Sequence, residues 1–183
     1  MWSTRRSPRS FLPPAARVCR LRGRRNGVDR RVDAASNERL PEEYKLGAHP
    51  ESFQLESSGT NIYVNLPDLK QIAVINRKTH AIIRWPMTLE HNFPMALDEA
   101  DHCLFVATHE PPRLAVFDTD TGKTIAILPC VQDADDTYYD AGRKRIYVPG
   151  GEGCISESRN APVPVAPCKT RTHDPAVRDG FDC

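Results

Sequence analysis

The chain has 183 residues, a formal charge of +1 and a hydrophobic fraction of 39%. That length suits a single domain, and no run approaches the roughly 18 apolar residues a membrane-spanning helix needs. The near-neutral charge is an average: residues 1–31 hold ten Arg and one Asp, which leaves the rest of the chain acidic.

Met1–Arg31 is rich in Arg, Ser, Pro and Ala and shows no apolar periodicity. Three readings stay open for it: a basic arm attracted to phosphate, an organelle-targeting segment, or a disordered extension with no role. Composition without a motif favours the plain extension, so nucleic acid is not the expected partner. Phe11-Leu12-Pro13-Pro14 is not the roughly 7–15-residue apolar core of a secretory signal. Val32–Leu40 reads as a hairpin, with Asp33-Ala34-Ala35-Ser36-Asn37 as its turn.

From His49 to Val148 the chain states one pattern three times. Asn61-Ile62-Tyr63-Val64, Cys103-Leu104-Phe105-Val106 and Arg145-Ile146-Tyr147-Val148 stand 42 residues apart, and so do Leu55, Leu97 and Tyr139. Acidic residues keep step at Glu56, Asp98 and Asp140, and Ile72-Ala73-Val74-Ile75 answers to Leu114-Ala115-Val116-Phe117. The first unit divides into four strands: 52–56, 61–66, 71–76 and 81–85. Ser57-Ser58-Gly59, Leu66-Pro67-Asp68 and Asn76-Arg77-Lys78-Thr79 separate them with turn chemistry. In the second unit Asp118-Thr119-Asp120-Thr121-Gly122-Lys123 forms a hairpin with Gly where a left-handed residue is wanted. The middle strands are continuous apolar runs, which predicts sheets covered on both faces. The third unit begins at Gln132, and its pattern stops after Ser156. Residues 157–183 are rich in Pro, Arg and Asp and are expected to be disordered.

Four short antiparallel strands in about 42 residues is the size of one β-propeller blade. The predicted fold class is therefore all-β: a partial β-propeller of about two full four-stranded blades plus parts of two more, with disordered termini. The predicted regions are a basic extension over 1–31, the repeat block over 32–156 and a tail over 157–183. Blades stabilise one another by stacking, so end blades with exposed apolar faces predict self-association.

Ile62-Tyr63-Val64-Asn65, His49-Pro50 and Asp118-Thr119-Asp120-Thr121-Gly122-Lys123 resemble the YVTN-type β-propeller repeat family (YncE-like) over roughly residues 32–156. The signature is degenerate, reading Leu-Phe-Val-Ala and Ile-Tyr-Val-Pro in the later units. The resemblance implies a ring of about seven blades, of which this sequence looks like a fragment with divergent flanks, and a periplasmic or secreted setting. No cofactor is expected. Two functions follow from it: a non-catalytic binding or scaffold module for a protein or small molecule, or part of a lactonase-like or quinoprotein amine dehydrogenase-like enzyme. Such an enzyme site would draw on many blades and would be incomplete in this chain.

His49, His91 and Asp133 recur at the same place in successive units, in the loop before the first strand, which in a propeller faces the channel mouth. Imidazole and carboxylate converging there would suit a metal; solvated rim residues are the preferred reading, because a wide channel separates blades. Asp133, Asp135 and Asp136 form an acidic cluster, read as a solvated turn over a hard-cation site because no calcium-loop spacing accompanies it. No catalytic or cofactor-binding residue is assigned. The six cysteines include no Cys-x-x-Cys, and Cys103, Cys130 and Cys154 read as small buried apolar residues. Ser-His-Asp, P-loop and dinucleotide signatures are missing.

Overall fold

The computed structural model describes residues 28–32, 39–159 and 169–172. The expectations for residues 1–27 and for most of 157–183 lie outside the described residues. A leading pair, β1 (Val28–Val32) and β2 (Arg39–Lys45), is followed by three four-stranded antiparallel sheets. The first comprises β3 (Phe53–Leu55), β4 (Asn61–Leu66), β5 (Gln71–Asn76) and β6 (Ile82–Pro86). The second comprises β7 (Glu90–Asp98), β8 (Cys103–Glu110), β9 (Arg113–Asp118) and β10 (Thr124–Pro129). The third comprises β11 (Tyr138–Asp140), β12 (Arg145–Gly150), β13 (Cys154–Arg159) and β14 (Lys169–Thr172). Each sheet is a simple meander. The chain is a partial β-propeller.

Described strands stand across both of the region boundaries drawn from sequence. The pair β1–β2 begins at Val28 rather than Val32, so the hairpin starts inside the basic segment. The boundary at residue 156 falls within β13, and β14 pairs with β13 from Glu157↔Lys169 to Cys154↔Thr172. The third sheet is thereby complete at four strands. The apolar pattern missed this because β13 carries Ser156 and Ser158 where β9 carries Ala115 and Phe117.

Three apolar layers lie between the four sheets, and the 42-residue register decides which residue joins which layer. Ile62, Leu104 and Ile146 each face the preceding sheet, in the first, second and third layers respectively. Their neighbours Tyr63 and Phe105 point the other way, into the following layer. This is strand alternation with both faces covered, so β4, β5, β8 and β9 are buried almost throughout. In β12 burial alternates strictly. Its outward face carries Arg145, ion-paired to Glu157, where earlier units carry Asn61 and Cys103.

The repeated acidic positions close turns. Glu56 accepts the backbone N–H of Asn61 (2.8 Å) and the Tyr63 hydroxyl (2.5 Å). Asp98 accepts from Asp101 N (3.2 Å), and Asp140 from Arg143 N (3.0 Å). Asn76 and Asp118, also 42 apart, each hold two N–H groups of the next hairpin. Gly122 takes the expected left-handed conformation, φ 70°. A Cβ there would lie 2.3 Å from Trp85 Nε1, so close packing of two sheets needs this glycine as well. His80, its counterpart in the first sheet, adopts φ 61° and packs edge-on against Tyr44 of β2 at 5.8 Å.

Candidate functional site

Strand direction alternates in a meander, so the β4–β5 turn and the segments linking one sheet to the next gather at one end. At that end a cleft of about 280 Å³ opens between the first and second sheets. His49 and Glu51 come from the segment before β3, and Pro67, Asp68 and Lys70 from the short 3-10 turn after β4. Glu90, His91 and Phe93 come from the start of β7. His49 Nδ1 stands 3.2 Å from Glu51 Oε1, and Lys70 is ion-paired with Glu90. The Lys70 ammonium holds the Glu90 carboxyl below its usual range through that hydrogen bond.

The predicted trio of equivalents divides here. His49 and His91 share the cleft, whereas Asp133 lies at the junction with the third sheet. His91 and Asp133 have the same left-handed backbone, φ 52° and 51°. Equivalence of spacing therefore carried through to conformation for this pair but not for His49, whose φ is not positive. Asp133 packs against Gly151, where a Cβ would meet its Oδ2 at 2.3 Å. The Asp135 backbone N–H donates to Pro149 O (3.0 Å), and Asp136 accepts from Thr137 N (2.8 Å). A hydrogen bond to Asp136 also raises the pKa of the Tyr138 hydroxyl. Among the described residues no group of three or more His, Cys, Asp or Glu stands close enough to hold a metal ion. Cys103, Cys130 and Cys154 lie in or against the apolar layer between the second and third sheets, and no disulfide joins them.

His109, Phe93 and Lys70 were not singled out by the sequence reading. The Phe93 ring lies 6.3 Å from that of His91, nearly parallel at 15°, and 4.8 Å from that of His109. His109 Nε2 is 3.0 Å from the carbonyl of Ala134, and its Nδ1 is 3.8 Å from Asp133. A line of rings thus runs from the cleft to the third sheet. The available signal was departure from the repeat: the counterparts of His109 are Pro67 and Gly151, and those of Phe93 are Glu51 and Asp135.

No family model matches the chain, and no curated protein matches it. Solved structures do. Hydrazine synthase of Kuenenia stuttgartiensis is similar with a TM-score of 0.63 at 14% identity, over 72% of this chain and 39% of that one. The dihydro-heme d1 dehydrogenase NirN, solved in complex with DHE, is similar with a TM-score of 0.65 at 13% identity, over 79% and 32%. The chain thus spans about a third of the length of these neighbours. Both contain β-propellers, and at such identity the likeness concerns the fold: the chain folds as part of a β-propeller.

Proposed function

We propose that the chain belongs to a non-catalytic propeller binding module of YVTN type, and that the cleft between its first two sheets receives the ligand. The cleft carries this reading: it is concave, it lies at the end where inter-sheet segments gather, and His49 and His91 recur in it. A mostly pre-formed hollow with a few convergent polar groups is the usual form of a small-ligand site. The YVTN assignment rests on Ile62-Tyr63-Val64-Asn65 and the Asp118–Lys123 hairpin. A fragment screen by NMR should give amide shifts clustered at His49, His91 and Phe93 and lost in a His49→Ala/His91→Ala variant. Shifts scattered over the outer strands would remove the reading.

A second reading, part of a propeller enzyme, is supported by the names of the two structural neighbours, a synthase and a dehydrogenase. Lactone hydrolysis or amine-dependent dye reduction by a longer form of the protein, abolished by His49→Ala or His91→Ala, would favour it. Self-association belongs to the main proposal. The outward face of the third sheet bears Ile155, 49% exposed, and the equivalent face of the second sheet is covered by a sheet of like design. A second copy is the occupant proposed for that face; a monodisperse monomer by light scattering would dismiss it.

A further inference from the structure

We infer that the cleft takes a small organic cation, an inference that rests on the cleft being the binding site. Its walls carry three carboxylates, Glu51, Asp68 and Glu90, against one ammonium, Lys70. Between the carboxylates and the ammonium, two negative charges remain in excess. Lys70 is already paired with Glu90, so an arriving anion would have to break that pair and would then face the carboxylates. An arriving cation meets Asp68 without breaking anything. One flank is aromatic, the near-parallel rings of Phe93 and His91. The face of an aromatic ring is its negative pole and attracts ammonium groups.

Size narrows the class. About 280 Å³ lies just below the usual range for drug-sized ligand pockets, which restricts the occupant to one ammonium group with a ring or short chain. A bare metal ion is a poorer occupant, since no cluster of three ligating side chains forms among the described residues. Lys70 and His91 hold left-handed backbones, φ 50° and 52°, and the Lys70 ammonium is held to one wall by its pair with Glu90.

The test is an amide-resolved NMR titration of the purified chain with benzyltrimethylammonium, alongside phenylacetate and benzyl alcohol as anionic and neutral counterparts. The cation should shift the amides of Asp68, His91 and Phe93 and bind about tenfold tighter than either counterpart. Asp68→Asn and Phe93→Leu should each weaken it several-fold while leaving the rest of the spectrum unchanged. Equal or tighter binding of phenylacetate or benzyl alcohol in the cleft would overturn the cation class and leave the cleft as a binding site. No shift at the cleft with any of the three, or cation shifts confined to other surfaces, would overturn both.

Discussion

The junction between the first and second sheets and the junction between the second and third are built on the same repeat and held differently. At the first, Trp85 lies between Tyr63 (5.5 Å) and Phe117 (6.1 Å, planes 16° apart), with Met87, Met95 and Leu104 around it. Polar contacts reinforce it. Gln54 donates to Met95 O (2.7 Å), Ser52 and Asn65 to Phe93 O, and Asn92 to Asn65 Oδ1 (2.9 Å). Glu99 reaches into the preceding sheet's Ser57–Gly59 turn, accepting three backbone N–H groups at 2.6–3.0 Å and the Ser58 hydroxyl. The second junction has a single described ring pair, Phe105 with Tyr139 at 5.6 Å, amid Ala96, Ala107 and Ala134. Its described polar contacts are the exposed pair Lys144–Asp101 at 2.5 Å and His109, 3.8 Å from Asp133 and 3.0 Å from Ala134 O. Ala141 stands where Glu99 stands one unit earlier. A shared register fixes which face a residue joins, while the residue's size and charge fix how strongly the faces hold.

Substitutions should separate the two junctions. Trp85→Ala removes a 7%-exposed ring from the first and should cost about 3–5 kcal/mol in denaturant unfolding. Tyr139→Ala at the second, where the ring is only half-buried, should cost about half as much; equal losses would erase the distinction. Gly122→Ala forces a Cβ into the Trp85 indole and a left-handed backbone on alanine, for an expected loss of about 2–4 kcal/mol.

Glu99 offers a pH handle. Burial opposes its ionisation, but the Ser58 hydroxyl and the backbone N–H groups of Ser57, Ser58 and Gly59 outweigh it and bring the pKa from 4.5 to about 2. Because the folded-state value is depressed, this stabilisation is present above pH 4.5 and is lost as pH falls toward 2. Solvent exposure holds it to about 1 kcal/mol. Glu99→Gln should lower stability by that amount at pH 7 and flatten the acid limb of the stability curve. An unchanged limb would contradict the clasp. The smallest effect is expected at His80, where glycine relieves the left-handed backbone but forfeits the Tyr44 contact. His80→Gly should therefore change stability by less than about 1 kcal/mol.

The fold was legible because the layers depend on features that repeat. Ile62, Leu104 and Ile146 announce one face, Tyr63 and Phe105 the other, and a 42-residue interval cannot arise from unrelated strands. The end of β13 was not legible, since Ser156 and Ser158 interrupt the apolar run that marks its counterpart β9. His49 and His91, matched by their spacing, line one cleft; Asp133 shares the backbone conformation of His91 alone and has a different neighbour. Lys70, Phe93 and His109 escaped because each stands where other units carry a different residue type. The Glu99 clasp was hidden for another reason: its partners are backbone N–H groups, which leave no mark on sequence.

The central claim is that successive 42-residue units stack face to face with alternating residues turned to opposite neighbours. A nuclear Overhauser spectrum tests it most directly through the Trp85 indole, which belongs to the first sheet. The account predicts cross-peaks from that indole to the α-protons of Gly122 and the ring of Phe117, both in the second sheet. Indole cross-peaks to first-sheet residues alone, with none to Gly122 or Phe117, would contradict it.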